Sequence, residues 1–147
     1  MKKFQRQVPK SEAFPCDVRN TRSASRPHSV HKLRPGDIDV IGALGDSLTA
    51  GFGATAITPF ELSLEERGKS FAIGGEANWK TYVTLPNILK VFNPNLEGYA
   101  LNTSLSTQEG SQLNVAEGLA ISANMPYMTK ELIRRIKSDK KINVDED

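Results

Sequence analysis

Residues 37–53, DIDVIGALGDSLTAGFG, constrain this chain more than any other stretch. Ile38, Val40, Ile41, Ala43 and Leu44 make an almost continuous apolar run of strand length. That pattern suits a strand buried on both faces of a parallel sheet. Gly45 and Asp46 interrupt the run, Ser47 stands at its exit, and residues 48–53 read as a turn and the first winding of the next element. A serine at the carboxyl end of a buried parallel strand lies where open α/β folds place their chemistry. The same residue in an ordinary strand-end turn would be a structural hydroxyl, and spacing alone does not separate the two.

Residues 1–36 lack periodicity and contain Pro9, Pro15, Pro27 and Pro35, so they read as an extended lead. One domain is expected over residues 37–147, because a chain of 147 residues is long enough for one core and too short for two. A short helix is expected around residues 59–67. Leu85, Ile88, Leu89 and Phe92 form a stripe at i, i+3, i+4 and i+7, with Thr84 as cap, Pro86 in the first turn and Asn93-Pro94 as the stop. Residues 96–101 and 113–116 are further strand candidates, the first weakened by Gly98. Met128, Leu132, Ile133 and Ile136 mark a last amphipathic helix. Strand alternating with helix in this order implies a parallel sheet covered on both faces.

Charge is unevenly placed. The net value is +2, but residues 1–36 hold nine Lys/Arg against Glu12 and Asp17, which is +7 and leaves −5 for the rest. Such a lead reads as a solvated linker, with binding to anionic lipid as the alternative. Phe4 and Phe14 are its only aromatics, so no nucleic-acid partner is expected. With 38% hydrophobic and 24% charged residues the composition is globular, and no apolar run reaches transmembrane length. The N-terminus, MKKFQRQVPK, has no apolar stretch and is not a signal peptide. Cys16 is the sole cysteine, so no internal disulfide forms. Neither Cys16 nor His28 and His31 build a metal ligand set, and no metal is expected.

Gly45-Asp46-Ser47-Leu48, followed by Thr49, Gly51 and Gly53, resembles the first signature block of the GDSL (SGNH) hydrolases. It is not the G-x-S-x-G elbow of the α/β-hydrolases, because position 49 is Thr. SVHKLRPGDI at 29–38, FAIGGE at 71–76, TLPNIL at 84–89, LNVA at 113–116 and Met125-Pro126 are similar to segments of animal phospholipase B-like enzymes. The resemblance runs from about residue 14 to the end of the chain. It implies an α/β fold, a three-layer α/β/α sandwich with a parallel sheet (flavodoxin-like), incomplete in this chain. It also implies a serine ester hydrolase of the phospholipase B or lysophospholipase type, which releases fatty acids through an acyl-enzyme on Ser47 and needs no cofactor. The partners it implies are a phospholipid or lysophospholipid substrate and a membrane surface, at a secreted or plasma-membrane location. Under it, Cys16 becomes a half-cystine paired outside this chain, and the sequon Asn102-Thr103-Ser104 a site of N-glycosylation. Trp79 and Tyr82 read as core packing, with the lining of an acyl site as the alternative.

Carried over residue by residue, Ser47 matches the family's nucleophile, and its own N–H is one oxyanion donor. Asn114-Val115-Ala116 places the second block, whose glycine is then Gly118, although an ungapped reading puts Leu119 at that position. The third block, Gly-x-Asn-Asp, is absent. Gly74-Gly75-Glu76-Ala77-Asn78 has the wrong spacing for it, and Asn78 receives no catalytic role. The Asp-x-x-His block is absent too, since His28 and His31 both precede Ser47. A serine nucleophile without its base loses about 10⁶-fold in rate. The chain is therefore expected to be an inactive, truncated piece of such an esterase. The alternative is a non-catalytic truncated isoform that binds lipid or a protein partner.

Overall fold

The structure is a computed structural model and describes residues 5–143. Its α-helices are α1 (Ser47–Ala50), α2 (Leu85–Phe92) and α3 (Met125–Ser138). Short 3₁₀ turns join them, among them Pro59–Ser63 and Arg67–Lys69 in place of the helix expected around 59–67. The Thr84 hydroxyl accepts from the Asn87 N–H at 3.3 Å, Pro86 sits in the first turn, and extended Asn93 ends α2. The buried side of α2 is carried by Pro86, Asn87 and Leu89, while Leu85 at the edge of the predicted stripe is exposed. On α3, Met128 is fully buried, and Arg135 donates to Ser111 Oγ, Gln112 O and Ser106 O at 2.6–2.8 Å. That arginine fastens the helix to the loop before residue 113.

The expected three-layer α/β/α sandwich is not found. Among the described residues no β-strand forms, and the pairing reduces to single bridges: Val40 with Glu97, Ala43 with Asn114 and Gly74 with Ala100, all parallel, and Phe52 with Glu65, antiparallel. The hydrogen bonds show why the ladders stop. Ile41 N–H donates to Glu97 O and Glu97 N–H to Asp39 O, but the next pairing is cut by Gly98, whose φ is +90°. A Cβ at Gly98 would stand 2.3 Å from Ile41 O, so the kink brings two backbones closer than any side chain allows. Gly98 O then accepts from Leu113 N–H, and Gln112, at φ +48°, breaks the chain just before the third strand candidate. The run 38–44 is accordingly half-buried rather than enclosed on both faces, with Gly42 exposed.

The core gathers Ile73, Leu89, Leu96, Ala100, Leu113, Val115, Ala116 and Met128. Residues 5–36 lie against it without α-helix or strand. The Phe14 ring meets Trp79 edge-on at 5.2 Å and Phe92 at 5.5 Å. Gln5 donates to Trp79 O and Lys80 O and accepts from Val83 N–H. Arg22 pairs with Asp39 at 2.6 Å, and Asp37 accepts from Ser23 and from Arg34 N–H. Those bonds from Ser23 and Arg34 hold the Asp37 carboxyl below its usual value.

Candidate functional site

Ser47 begins α1, a single helical turn whose shape its neighbours dictate. Asp46 caps it, accepting from Leu48 N–H at 2.9 Å. A Cβ on Gly45 would collide with the Thr49 side chain at 2.3 Å, so only glycine lets that turn close. Gly51, at φ +75°, ends the turn where a Cβ would meet Glu66 O at 2.7 Å. As the first residue of the turn, Ser47 has an N–H with no intrahelical acceptor. Its side chain is half-buried.

The segment 113–118 runs beside this turn. Ala43 N–H donates to Leu113 O at 3.0 Å, Val115 N–H to Ala43 O at 2.9 Å and Glu117 N–H to Gly45 O at 3.2 Å. Gly118 follows, packed against the Phe52 ring so closely that a Cβ would stand 2.6 Å from it. The left-handed conformation falls one residue later, on Leu119 at φ +63°. Leu119 thus adopts a backbone shape that glycine adopts more readily, at the place the ungapped reading assigns to glycine.

What anchors the second segment is a residue that sequence reasoning passed over. Arg67 is fully buried and spends all its donors. Its guanidinium reaches Glu65 Oε2 at 2.6 Å, Ser104 O at 2.9 Å, Asn114 O and Oδ1 at 3.1 Å, and Ala116 O at 2.7 Å. Asn114 Nδ2 in turn donates to Thr49 O at 3.0 Å, and Ser70 Oγ donates to the same carbonyl at 2.7 Å. The turn carrying Ser47 is thereby tied to the segment carrying Gly118. Nothing in the spacing Glu65-Glu66-Arg67 marks it, since a charge in a polar run is normally solvated.

Glu66 lies beside this brace and accepts from Thr55 N–H and Oγ1 and from Lys69 Nζ at 2.6 Å. Burial pushes its carboxyl up, but the bonds from Lys69 and Thr55 outweigh that and leave it below the usual value. Next to the pair opens a pocket of about 390 Å³, lined in part by Leu48, Phe52, Tyr82 and Val83.

The histidines stand elsewhere. His28 and His31 are exposed, and His28 shares a separate cavity with Ile38 and Val40, at the opposite end of the run from Ser47. Asn78 is exposed and shapes a turn through Lys80 N–H. Asn102 is exposed at φ +60°, its sequon partner Ser104 is buried, and Cys16 is an exposed free thiol. Among the described residues no group of three or more His, Cys, Asp or Glu could hold a metal ion. Among them, too, no helix is long and apolar enough to cross a membrane.

No protein-family model matches the chain, and no solved structure matches it. Curated proteins do. Phospholipase B1, membrane-associated, of Mus musculus is 42% identical over 144 residues, covering 96% of this chain and 10% of that protein. The Homo sapiens protein of the same name is 48% identical over 126 residues, covering 85% and 8%, and the Rattus norvegicus one 43% over 125 residues, covering 85% and 8%. The chain is therefore homologous to a short part of phospholipase B1, membrane-associated, and spans about a tenth of its relatives' length.

Proposed function

We propose that this chain is the nucleophile-bearing part of a GDSL-type serine esterase that acts on acyl esters of phospholipids or lysophospholipids at a membrane surface. The observation that carries the reading is the bond from Glu117 N–H to Gly45 O, which lays the Gly118 segment beside the turn that opens with Ser47. Homology to part of a phospholipase supports the substrate class.

In this reading Ser47 Oγ attacks the ester carbonyl once a base has taken its proton. The Ser47 N–H, free at the start of its turn, donates to the developing oxyanion, and the Gly118–Leu119 backbone supplies a second donor. One such donor is worth about 3–4 kcal/mol of barrier. The base is neither His28, at the far end of the 38–44 run, nor the exposed His31, so the isolated chain is expected to hydrolyse nothing above background. Asn102, exposed on its turn, would carry the glycan if the protein passes through the secretory route.

Grafting residues 5–143 into the mouse relative, in place of the segment they match, tests the assignment. Fatty-acid release that falls to background on Ser47→Ala is the expected result. Release that persists in Ser47→Ala would sink it. The absence of a histidine near Ser47 favours one further reading, a chain that binds lipid without hydrolysing it. Release absent from the graft, with lipid still bound, would move the assignment there.

A further inference from the structure

The geometry points to the 390 Å³ pocket beside α1 as a site for a single acyl chain, an inference that rests on the lipid reading above and gives it a location. Its volume lies toward the lower end of small-molecule sites, about 300–1,000 Å³, which suits one chain and not two. Phe52, Ala54 and Tyr82 are half-buried in its wall. Leu48, Phe71 and Val83 stand at it with 71%, 65% and 55% of their surfaces exposed, so three large apolar side chains meet water at one place. Leu48 directly follows Ser47.

Two observations separate an acyl chain from other occupants. Among the described residues the pocket's one cation, Lys69, is already matched by Glu66 at 2.6 Å, so they offer no unpaired charge to a phosphate or carboxylate. The wall is also cross-braced by the chain's own bonds: Ser70 Oγ donates to Thr49 O, Leu85 N–H to Phe71 O at 2.9 Å and Val83 N–H to the Gln5 side chain at 2.7 Å. A cross-braced, apolar-lined cleft gains most from an alkyl chain, whose burial depends on area and not on direction.

Titration of the full chain with n-alkyl phosphocholines, which carry no ester and are kept below their micelle concentrations, tests this by calorimetry. Saturable one-to-one binding is expected, tightening about fourfold for each added methylene until the pocket fills. Ala54→Trp, which fills the cleft, should weaken binding at least tenfold. Phe71→Ser, at a position 65% exposed, should weaken it several-fold while the unfolding midpoint stays close to the parent's. Ser47→Ala should bind as the parent does, so loss of chemistry and loss of the site read out separately. Equal binding of glycerophosphocholine, indifference to both pocket substitutions, or association with micelles and vesicles only would each overturn the inference.

Discussion

Arg67 brings a full charge into a place where water does not follow, and it is tolerated because every N–H finds an oxygen. Removing it strands the Glu65 carboxylate and the carbonyls of Ser104, Asn114 and Ala116. Arg67→Ala should therefore cost about 3–5 kcal/mol, read as a lowered urea midpoint. Arg67→Lys should recover only part of that, because an ammonium does not reproduce the planar fork. Leu119 presents the opposite case. It holds a left-handed backbone conformation that costs an L-residue roughly 1–2 kcal/mol, and its side chain is 91% exposed, so little packing is lost with it. Leu119→Gly should stabilise the chain by up to about 1 kcal/mol after the added entropy of glycine in the unfolded state. A lower midpoint for the glycine variant would refute this account of the turn.

At the scale of elements, α2 was legible because its signals are local. Thr84, Pro86 and Asn93 each act within one turn, and all three fall where the spacing puts them. Thr84→Ala should cost about 1 kcal/mol as a lost cap, and more if the bond from its hydroxyl to Gly74 O goes with it. The pH response of α3 belongs at this scale too. Hydrogen bonds from Arg134 first, then Arg135, bring the Glu131 carboxyl down from 4.5 to about 2. A folded value below the unfolded one means that Glu131 contributes its full stabilisation above about pH 5 and loses it as pH falls towards 2. The urea midpoint should drop through that window, and Glu131→Gln should flatten the drop. An unchanged acid limb in the glutamine variant would mean that the pairing is screened by solvent. The strand candidates were misread for a related reason. An apolar run records what a segment avoids, but a strand also needs a neighbour whose backbone continues in step. Gly98 and Gln112 break that step after one bridge each.

For the whole molecule, the lead offers the sharpest check. Phe14 closes two edge-to-face ring pairs, each worth about 0.5–1.5 kcal/mol beyond its buried area. Phe14→Ala should cost about 1–3 kcal/mol and shift the emission of Trp79, the only tryptophan, to longer wavelength. An unmoved spectrum would mean that residues 5–36 do not pack in solution. Sequence by itself determined the turn around Ser47, the caps and limits of α2 and the amphipathic character of α3. Each depends on dihedral freedom and hydrogen bonds within a few residues, which spacing records directly. It also carried enough of the short apolar and glycine-bearing blocks for the likeness to phospholipase B to be visible. Only the tertiary structure decided that the apolar runs bridge singly instead of forming a sheet, and that Arg67 holds residues 114–116 while Asn114 ties them to the turn of Ser47. It alone put His28 at the far end of the 38–44 run and opened an apolar-lined pocket beside Leu48. Those outcomes join residues tens of positions apart, and a pattern of neighbours along the chain holds no record of which distant backbone supplies the hydrogen bond.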